Sequence, residues 1–278
     1  MKIDRIEGLR PLTGEYYLQS HLAFRGSSNQ QSMILRCLKN NIQLLIPAQK
    51  EGKGDVSVLS VGCGSGIIDE PLIRIMLKHW STIAYDGIDP NWEECQAFES
   101  RMNQIDFQQV KTRVLCQSLE QFVPNRTYNL VHFIHVLYHF DDVWQAIQSA
   151  LNFLKPGGNI LIFHTPDNDL NSFMKSTQSQ LAGYVPLLSS QLKSLLDEHN
   201  VSYHMETIRA ILDVTECFNP QSSLQEKLLS FIVYADVRQV SKKDKQELLN
   251  TLKSFTFRNN DRYHVAHEVD VFRIHKSG

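Results

Sequence analysis

Histidine is the side chain that this sequence concentrates most clearly in one place. The chain contains eleven histidines, and three of them, His132, His135 and His139, fall within one short stretch. Imidazole titrates near neutral pH and ligates divalent metals, so such a cluster can supply a general base or part of a metal site. His135 and His139 are four residues apart and would share one face if the segment were helical. For His132, inside an apolar run, the favoured role is a buried structural one.

A glycine-rich loop is the second feature with a chemical use. Gly62, Gly64 and Gly66 alternate directly after the β-branched run Val56–Val61. Glycines there let the backbone turn sharply and let a ligand approach the main chain closely. A dinucleotide fingerprint requires glycine at position 67, where this chain has Ile67. The loop therefore favours a ligand without a pyrophosphate over NAD.

An acidic residue at the end of the next apolar run can bind the hydroxyl groups of a ribose. Asp89 stands where the run Ile83–Ile88 stops, and its carboxylate can accept two hydrogen bonds from a diol. Asp86 is the competing candidate, but Gly87 and Ile88 continue the strand beyond it. We therefore assign the ribose to Asp89 and a structural role at the strand to Asp86.

Strands and helices alternate in the part of the chain that carries these residues. The predicted strands cover 56–61, 83–88, 112–115, 128–134 and 159–163, and the predicted helices cover 70–80, 91–104 and 142–154. This alternation predicts βαβ units and a parallel sheet covered on both faces. In the outer parts we predict helices over 28–46, 190–199, 222–235 and 241–254, and strands over 202–211 and 267–274.

Composition excludes several classes of protein. A chain of 278 residues with 42% hydrophobic and 21% charged residues is ordinary and globular. Its net charge of −2 lacks the basic excess of a dedicated nucleic-acid or anionic-membrane binder. It has no signal-peptide pattern and no apolar run of about 18 residues. Five widely spaced cysteines without a CxxC pair indicate reduced thiols. We expect a cytoplasmic monomer that binds a small molecule and neither nucleic acid nor membrane.

Three motifs taken together resemble class I S-adenosylmethionine-dependent methyltransferases: the segment Val61–Gly66, the acid Asp89, and the segment Leu154–Leu161. The segments 59–69, 131–138 and 211–218 are similar, more narrowly, to histamine N-methyltransferases. The resemblance implies an α/β, Rossmann-like fold: a seven-stranded, mostly parallel sheet with helices on both faces and a helical substrate cap. It also implies the cofactor S-adenosylmethionine, with S-adenosylhomocysteine as the product.

The same resemblance implies one methyltransferase domain over residues 1–278. It divides into an N-terminal helical cap segment (1–50), a cofactor-binding core (55–165), and C-terminal strands with inserted cap helices (166–278).

The cofactor contacts that the resemblance implies begin with the glycine loop, which lies along the methionine tail, and with Asp89 on the ribose. Glu94 falls where the family has a glutamine, Ser118 near the adenine edge, and Ile134 against the cofactor. Without the resemblance, residue types and spacing support only two of these cofactor contacts, those of the glycine loop and of Asp89.

Substrate positions of the family are partly changed in this chain. Asn29 replaces the acidic side chain that holds the substrate's ammonium group, and a neutral amide cannot neutralise a buried cation. The alternative for Asn29 is a role at the cap of the first helix. Tyr138 is retained, and Tyr16 falls where the family has an aromatic residue.

Three polar pocket positions of the family are histidines here: His135, His139 and His267. We predict that they are catalytic and that they bind substrate together with Tyr16, Asn29 and Tyr138. They can hydrogen-bond a substrate nitrogen or carboxylate, with one of them acting as a general base. The alternative is that they bind a divalent metal with an open position. His164 stands at the end of the fifth core strand, where either a pocket role or a structural role is compatible with the sequence.

The predicted function is methyl transfer from S-adenosylmethionine to a small molecule, with N-methylation of an amine or imidazole-type substrate preferred. Much of such a displacement is proximity and orientation, so no strong base is obligatory. One alternative is an O-methyltransferase or metal-assisted transferase acting on a small acid or hydroxyl compound. The other is a protein of this fold that binds S-adenosylmethionine without transferring the methyl group.

Overall fold

The computed structural model describes residues 5–46, 54–104, 108–181 and 187–277. The chain divides into two compact units, each assembled from separate stretches of sequence. Unit 1 comprises Met1–Met33, Thr165–Leu188 and Arg209–Val269, and unit 2 comprises Ile34–His164, Ser189–Ile208 and Asp270–Gly278. Parts of the predicted cap segments, residues 1–4, 47–50 and 182–186, lie outside the described residues. The division of one domain into three functional segments stays a prediction.

Strands and helices are numbered here in chain order through both units. The strands are β1 (Arg10–Pro11), β2 (Asp55–Val61), β3 (Thr82–Asp89), β4 (Val110–Cys116), β5 (Tyr128–Ile134), β6 (Leu154–His164), β7 (Tyr203–Ile208), β8 (Ile211–Asp213), β9 (Ala235–Asp236), β10 (Phe257–Asn259), β11 (Arg262–Ala266) and β12 (Val269–His275). The helices are α1 (Gly14–Gly26), α2 (Gln30–Leu45), α3 (Asp69–Met76), α4 (Trp92–Met102), α5 (Val143–Phe153), α6 (Asp169–Gln178), α7 (Ser189–Glu198), α8 (Gln225–Ile232) and α9 (Lys242–Ser254). Short 3₁₀ helices cover Leu119–Gln121, Leu137–His139 and Thr215–Phe218.

A seven-stranded sheet forms the centre of unit 2, in the order β4-β3-β2-β5-β6-β12-β7. The strands from β4 to β6 pair in parallel, whereas β12 runs antiparallel to β6. Helices α3, α4 and α5 connect successive parallel strands, as βαβ crossovers require. The predicted α/β fold with a seven-stranded, mostly parallel sheet is therefore confirmed.

The core of unit 2 explains why its strands could be recognised from apolar runs. The middle of β2 is almost completely buried, and so are most of the apolar residues of β5 and β6. Strands covered on both faces read as continuous hydrophobic runs rather than as alternation. Each of the five predicted core strands lies within an observed strand, and the three predicted core helices correspond to α3, α4 and α5.

Unit 1 combines helices with two small antiparallel sheets. Strand β1 pairs with β9, and the second sheet has the order β10-β11-β8. A buried apolar cluster of this unit draws on α6, α8, α9 and the second sheet, including Phe173, Leu212, Leu228, Leu248 and Val265. No helix in the described parts of the chain is both long and apolar enough to cross a membrane.

The prediction of one strand over 202–211 was wrong. Strand β7 ends at Ile208 in the large sheet of unit 2, and β8 begins at Ile211 in the small sheet of unit 1. An apolar pattern reports that residues are extended, but it carries no information on which sheet they join. The predicted helix over 222–235 is shorter in the structure, where α8 spans Gln225–Ile232.

Candidate active site

The predicted cofactor residues gather at one edge of the large sheet. Parallel strands point the same way, so their carboxyl ends meet at a single edge, where open α/β sheets bind ligands. The glycine loop 62–66 follows β2, Asp89 ends β3, Ser118 follows β4, His135 follows β5, and His164 ends β6. All of these residues belong to unit 2.

The glycine loop has the backbone conformation that its composition predicts. Gly62, Gly64 and Gly66 have φ angles of 65°, 51° and 72°, in the left-handed region that side chains disfavour. A Cβ added to Gly62 would lie 2.2 Å from Cγ2 of Val136, the second residue after β5. Conformation and packing therefore both require glycine at position 62, and Val136 borders the loop.

The carboxylate of Asp89 is tied to this loop. The Gly64 backbone N–H donates to Oδ2 of Asp89 at 3.0 Å, and the Asn91 backbone N–H donates to Oδ1 at 2.9 Å. A carboxylate offers about four acceptor positions, so each oxygen retains capacity for a further donor. Half-buried Asp89 thus combines a fixed position with the ability to accept hydrogen bonds from a ribose diol.

The competing acid, Asp86, has a different environment. It is buried, and Nε and Nη2 of Arg113 donate to its two oxygens at 3.1 and 3.0 Å. The Tyr128 hydroxyl donates to Oδ2 at 2.7 Å, and Arg126 lies within ion-pair distance. These partners agree with the structural role that sequence analysis gave to Asp86.

The remaining predicted cofactor residues surround the loop less closely. Asn91 caps helix α4 by accepting from the backbone N–H groups of Glu93 and Glu94. This places Oε2 of Glu94 3.6 Å from where a Cβ on Gly64 would stand. Ser118 is the N-cap residue before the 3₁₀ helix that follows β4, and half-buried Ile134 ends β5. Their contacts with a cofactor stay predictions.

His135 has an unusual backbone and an unsatisfied side chain. Its φ of 53° is left-handed, which is uncommon for a non-glycine residue, and its N–H donates to the Phe163 carbonyl at 3.0 Å. Its Nε2 is buried and has no hydrogen-bond partner among the described residues. Burial lowers the pKa of His135 to about 4, so the ring is neutral at neutral pH. A buried nitrogen left this way is available to a bound molecule.

The lowered pKa of His135 should make the protein less stable in mild acid. Unfolded His135 protonates near its ordinary pKa of about 6.5, whereas the folded ring resists protonation down to about pH 4. Its contribution is therefore complete above about pH 6.5 and is lost as the pH falls toward 4. At about pH 5 we expect a loss of about 2 kcal/mol relative to about pH 7.5. Urea unfolding of the wild type and His135→Leu at both pH values checks this. An identical pH dependence of the two proteins would contradict it.

His135 and His139 do not share one helical face, because the segment that joins them is not one continuous helix. The 3₁₀ helix covers only Leu137–His139, and left-handed His135 cannot belong to a right-handed helix. The ring of Tyr138 lies 4.6 Å from that of His139 and 6.1 Å from that of buried His164. Burial lowers the pKa of His139, and the Asp89 carboxylate acts in the opposite direction.

The structure assigns Asn29 and His267 to unit 1, whereas His135, Tyr138 and His139 belong to unit 2. Oδ1 of Asn29 accepts from the Ile211 backbone N–H at 2.8 Å, so this side chain fastens strand β8. Nδ1 of His267 lies 2.7 Å from Oγ of Ser28, in a hydrogen bond within the same unit. Their roles toward substrate stay predictions.

Tyr16 also lies in unit 1, on helix α1. Its hydroxyl is 3.3 Å from Oγ of Ser230, and the guanidinium carbon of Arg238 stands 3.8 Å from the centre of its ring. Such a cation–π contact fixes the ring within this unit. Its predicted substrate contact also stays a prediction.

The metal alternative receives no support from the geometry. Within the residues that the structure describes, no three His, Cys, Asp or Glu side chains are grouped so that they can hold a metal ion.

Two residues that sequence analysis did not name also shape the loop. Val136 packs against Gly62, and Nε of Arg101, on helix α4, donates to the Ser65 carbonyl at 2.9 Å. A side chain that meets a loop 36 residues away leaves no local signal. An apolar residue after a strand is equally ordinary in sequence. Neither could be found from the pattern alone.

Comparison with known proteins agrees with this geometry. A family model described as a methyltransferase domain matches residues 30–215, about two thirds of the chain. The chain belongs to this family, and with its fold it is a class I, S-adenosylmethionine-dependent methyltransferase.

Individual relatives are distant. Histamine N-methyltransferase of Danio rerio is 22% identical over 255 residues, which cover 85% of this chain and 87% of the relative. The mitochondrial ubiquinone biosynthesis O-methyltransferase of Homo sapiens is 27% identical over 216 residues, covering 71% of this chain and 55% of the relative. The fold is similar to that of the plantazolicin methyltransferase BpumL in complex with SAH, with a TM-score of 0.53, 16% identity, and 94% and 90% of the two chains covered.

Proposed function

We propose that this methyltransferase acts on a nitrogen atom of a small molecule, an amine or an imidazole-type compound. Its cofactor is S-adenosylmethionine, which supplies a methyl group on a positively charged sulfur and leaves as S-adenosylhomocysteine. The similarity to a histamine N-methyltransferase over most of both chains supports nitrogen as the acceptor. The observation that carries the proposal is the buried, unsatisfied Nε2 of His135 at the ligand-binding edge of the sheet.

The cofactor is held, we propose, by main-chain groups of the loop 62–66 and by the side chain of Asp89. The three left-handed glycines leave the backbone open to close approach by the methionine part. Asp89 accepts hydrogen bonds from the ribose hydroxyls, since both of its oxygens retain acceptor capacity. Glu94, Ser118 and Ile134 contact the rest of the cofactor.

His135 orients the acceptor. Because its ring is neutral, it can exchange a hydrogen bond with a substrate nitrogen without adding a positive charge beside the sulfonium. Holding the acceptor nitrogen in line with the methyl group supplies most of what such a displacement requires. When the acceptor must lose a proton, the ring can take it, with His139 and Tyr138 as neighbours along the same segment.

Several further features belong to this proposal. Tyr16, Asn29 and His267 bind substrate, and the segments 1–50 and 166–278 include the helical substrate cap. We also propose that the protein works in the cytoplasm as a monomer. Its five cysteines are all free thiols, which a reducing compartment maintains.

Methylation of an oxygen atom is the second candidate. The similarity to a ubiquinone biosynthesis O-methyltransferase supports it. A neutral imidazole can also accept the proton that a hydroxyl group loses as it attacks. The two candidates therefore share His135 and differ in the acceptor atom.

Turnover with matched acceptors distinguishes them. The purified protein is incubated with S-adenosylmethionine carrying a deuterated methyl group and with small amines, imidazoles, phenols or carboxylic acids. Mass spectrometry then measures S-adenosylhomocysteine and locates the label in the product. We expect stoichiometric S-adenosylhomocysteine and N-methyl product from the amine or imidazole set. If only the hydroxyl or carboxyl compounds gave a methylated product, N-methylation would be wrong and O-methylation would take its place. Reactions without acceptor are the control.

A further inference from the structure

A buried group of three polar side chains lies on elements that flank the glycine loop. The Tyr85 hydroxyl donates to Oδ1 of Asp69 at 2.7 Å and lies 2.8 Å from Nε2 of His132. The relative exposures are 3% for Asp69, 0% for Tyr85 and 1% for His132. Three elements of unit 2, α3, β3 and β5, thus meet at one phenol oxygen.

The direction of these hydrogen bonds follows from counting protons. Tyr85 has one hydroxyl hydrogen, which it gives to the carboxylate, so its oxygen must accept from Nε2–H of His132. The neutral ring then carries its hydrogen on Nε2, and Nδ1 is a bare acceptor. Consistently, Nδ1 of His132 has no partner in the described part of the chain. Burial lowers the pKa of His132, although the Asp69 carboxylate acts in the opposite direction. The lowered pKa keeps the His132 ring neutral in this arrangement.

Asp69 links the group to the loop. It is the first residue of helix α3 and follows Gly66 by three positions. The Gly66 carbonyl accepts from the Glu70 backbone N–H at 3.0 Å, and the Gly66 N–H donates to the Cys63 carbonyl at 3.1 Å. The end of the loop is therefore hydrogen-bonded into the first turn of α3. A contact that holds Asp69 in place therefore also fixes the backbone between Gly66 and helix α3.

We propose that Tyr85 is a positioning residue for cofactor binding. Its hydroxyl holds Asp69 at the start of α3 and thereby fixes the loop around Gly64 and Gly66, while His132 orients that hydroxyl. Tyr85 touches neither cofactor nor substrate. The proposal rests on the proposed role of the loop in holding the cofactor.

Two matched tyrosine variants test it. Tyr85→Phe removes the hydroxyl bonded to Asp69, and Tyr128→Phe removes an equivalent hydroxyl bonded to buried Asp86, also at 2.7 Å. Titration calorimetry measures the Kd for S-adenosylhomocysteine, and urea unfolding measures stability. We expect both variants to lose stability, but only Tyr85→Phe to raise the Kd, by about tenfold. Its kcat at saturating cofactor should stay near the wild-type value, with the effect confined to KM for the cofactor.

Conservative replacement at Asp69 gives an independent result. Asp69→Asn retains an oxygen that accepts from Tyr85 and should keep most of the affinity, whereas Asp69→Ala should resemble Tyr85→Phe. An unchanged Kd in Tyr85→Phe, or an equal rise in Tyr128→Phe, would overturn the positioning role. If Tyr85→Phe does not fold, equal affinities of Asp69→Ala and the wild type would overturn it instead. A parallel titration of Asp89→Ala separates the two proposals. If Asp89→Ala loses affinity for S-adenosylhomocysteine and Tyr85→Phe does not, the proposed cofactor site stands and the positioning role of Tyr85 is overturned.

Discussion

Asp89→Ala should bind S-adenosylhomocysteine about tenfold to a hundredfold more weakly than the wild-type protein. This corresponds to about 1.5–3 kcal/mol, the range for hydrogen bonds to a charged group. The substitution removes the acceptor for the Gly64 and Asn91 N–H groups and, as we propose, the acceptor for the ribose hydroxyls. Both effects act on the cofactor site, because one of these N–H groups belongs to the glycine loop. Titration calorimetry measures the change directly.

Glu93→Ala is the matched control for this experiment. Glu93 is an exposed carboxylate four residues from Asp89, in the first turn of α4. It has the same charge and no assigned role in binding. Its replacement should leave the Kd within about twofold of wild type, since only screened surface charge is lost. Wild-type affinity in Asp89→Ala would show that the ribose acid is misassigned.

His135→Phe should lower kcat/KM for the methyl acceptor by about a hundredfold while the Kd for S-adenosylhomocysteine stays unchanged. Phenylalanine preserves the flat ring but removes the nitrogen that is buried without a partner in the described structure. The acceptor then loses its orienting hydrogen bond and the nearby base, effects that together reach this size. Steady-state kinetics with the best acceptor from the panel provides the measurement.

His204→Ala, on the exposed part of strand β7, is the control for histidine loss. It should keep wild-type kinetics. Two outcomes would count against the proposed role of His135. Full turnover in His135→Phe would place the ring outside the substrate site. A parallel loss of cofactor affinity would instead make it part of the fold around the cofactor.

The parallel core of the fold could be predicted because its signals are local. Runs such as Val56–Val61 are mostly apolar and β-branched, and glycine or proline stands near their ends. Helix α1 escaped prediction because its apolar residues do not form one stripe. Within α1 only Ser20 is fully buried, while Leu18 and Leu22 are exposed. A helix without an apolar face leaves no period to detect.

In the candidate site, too, some features have a local sequence signal and others do not. The glycine loop and Asp89 carry signals in residue type and in position relative to a strand, and the structure brings them together. The conformation of His135 could not be predicted, because nothing in Ile134-His135-Val136 marks a left-handed residue. The group of Asp69, Tyr85 and His132 was also out of reach. Its members lie up to 63 positions apart and meet only through the order of strands β3, β2 and β5.

A crystal structure of the protein with S-adenosylhomocysteine would show which residues hold the cofactor and which face the acceptor. We predict that the ribose hydroxyls lie on the Asp89 carboxylate, that the methionine part follows the glycine loop, and that the His135 ring faces the space beyond the sulfur. S-adenosylhomocysteine bound away from the carboxyl ends of β2 and β3 would contradict the account. So would a His135 ring that turns into the protein core, away from the sulfur.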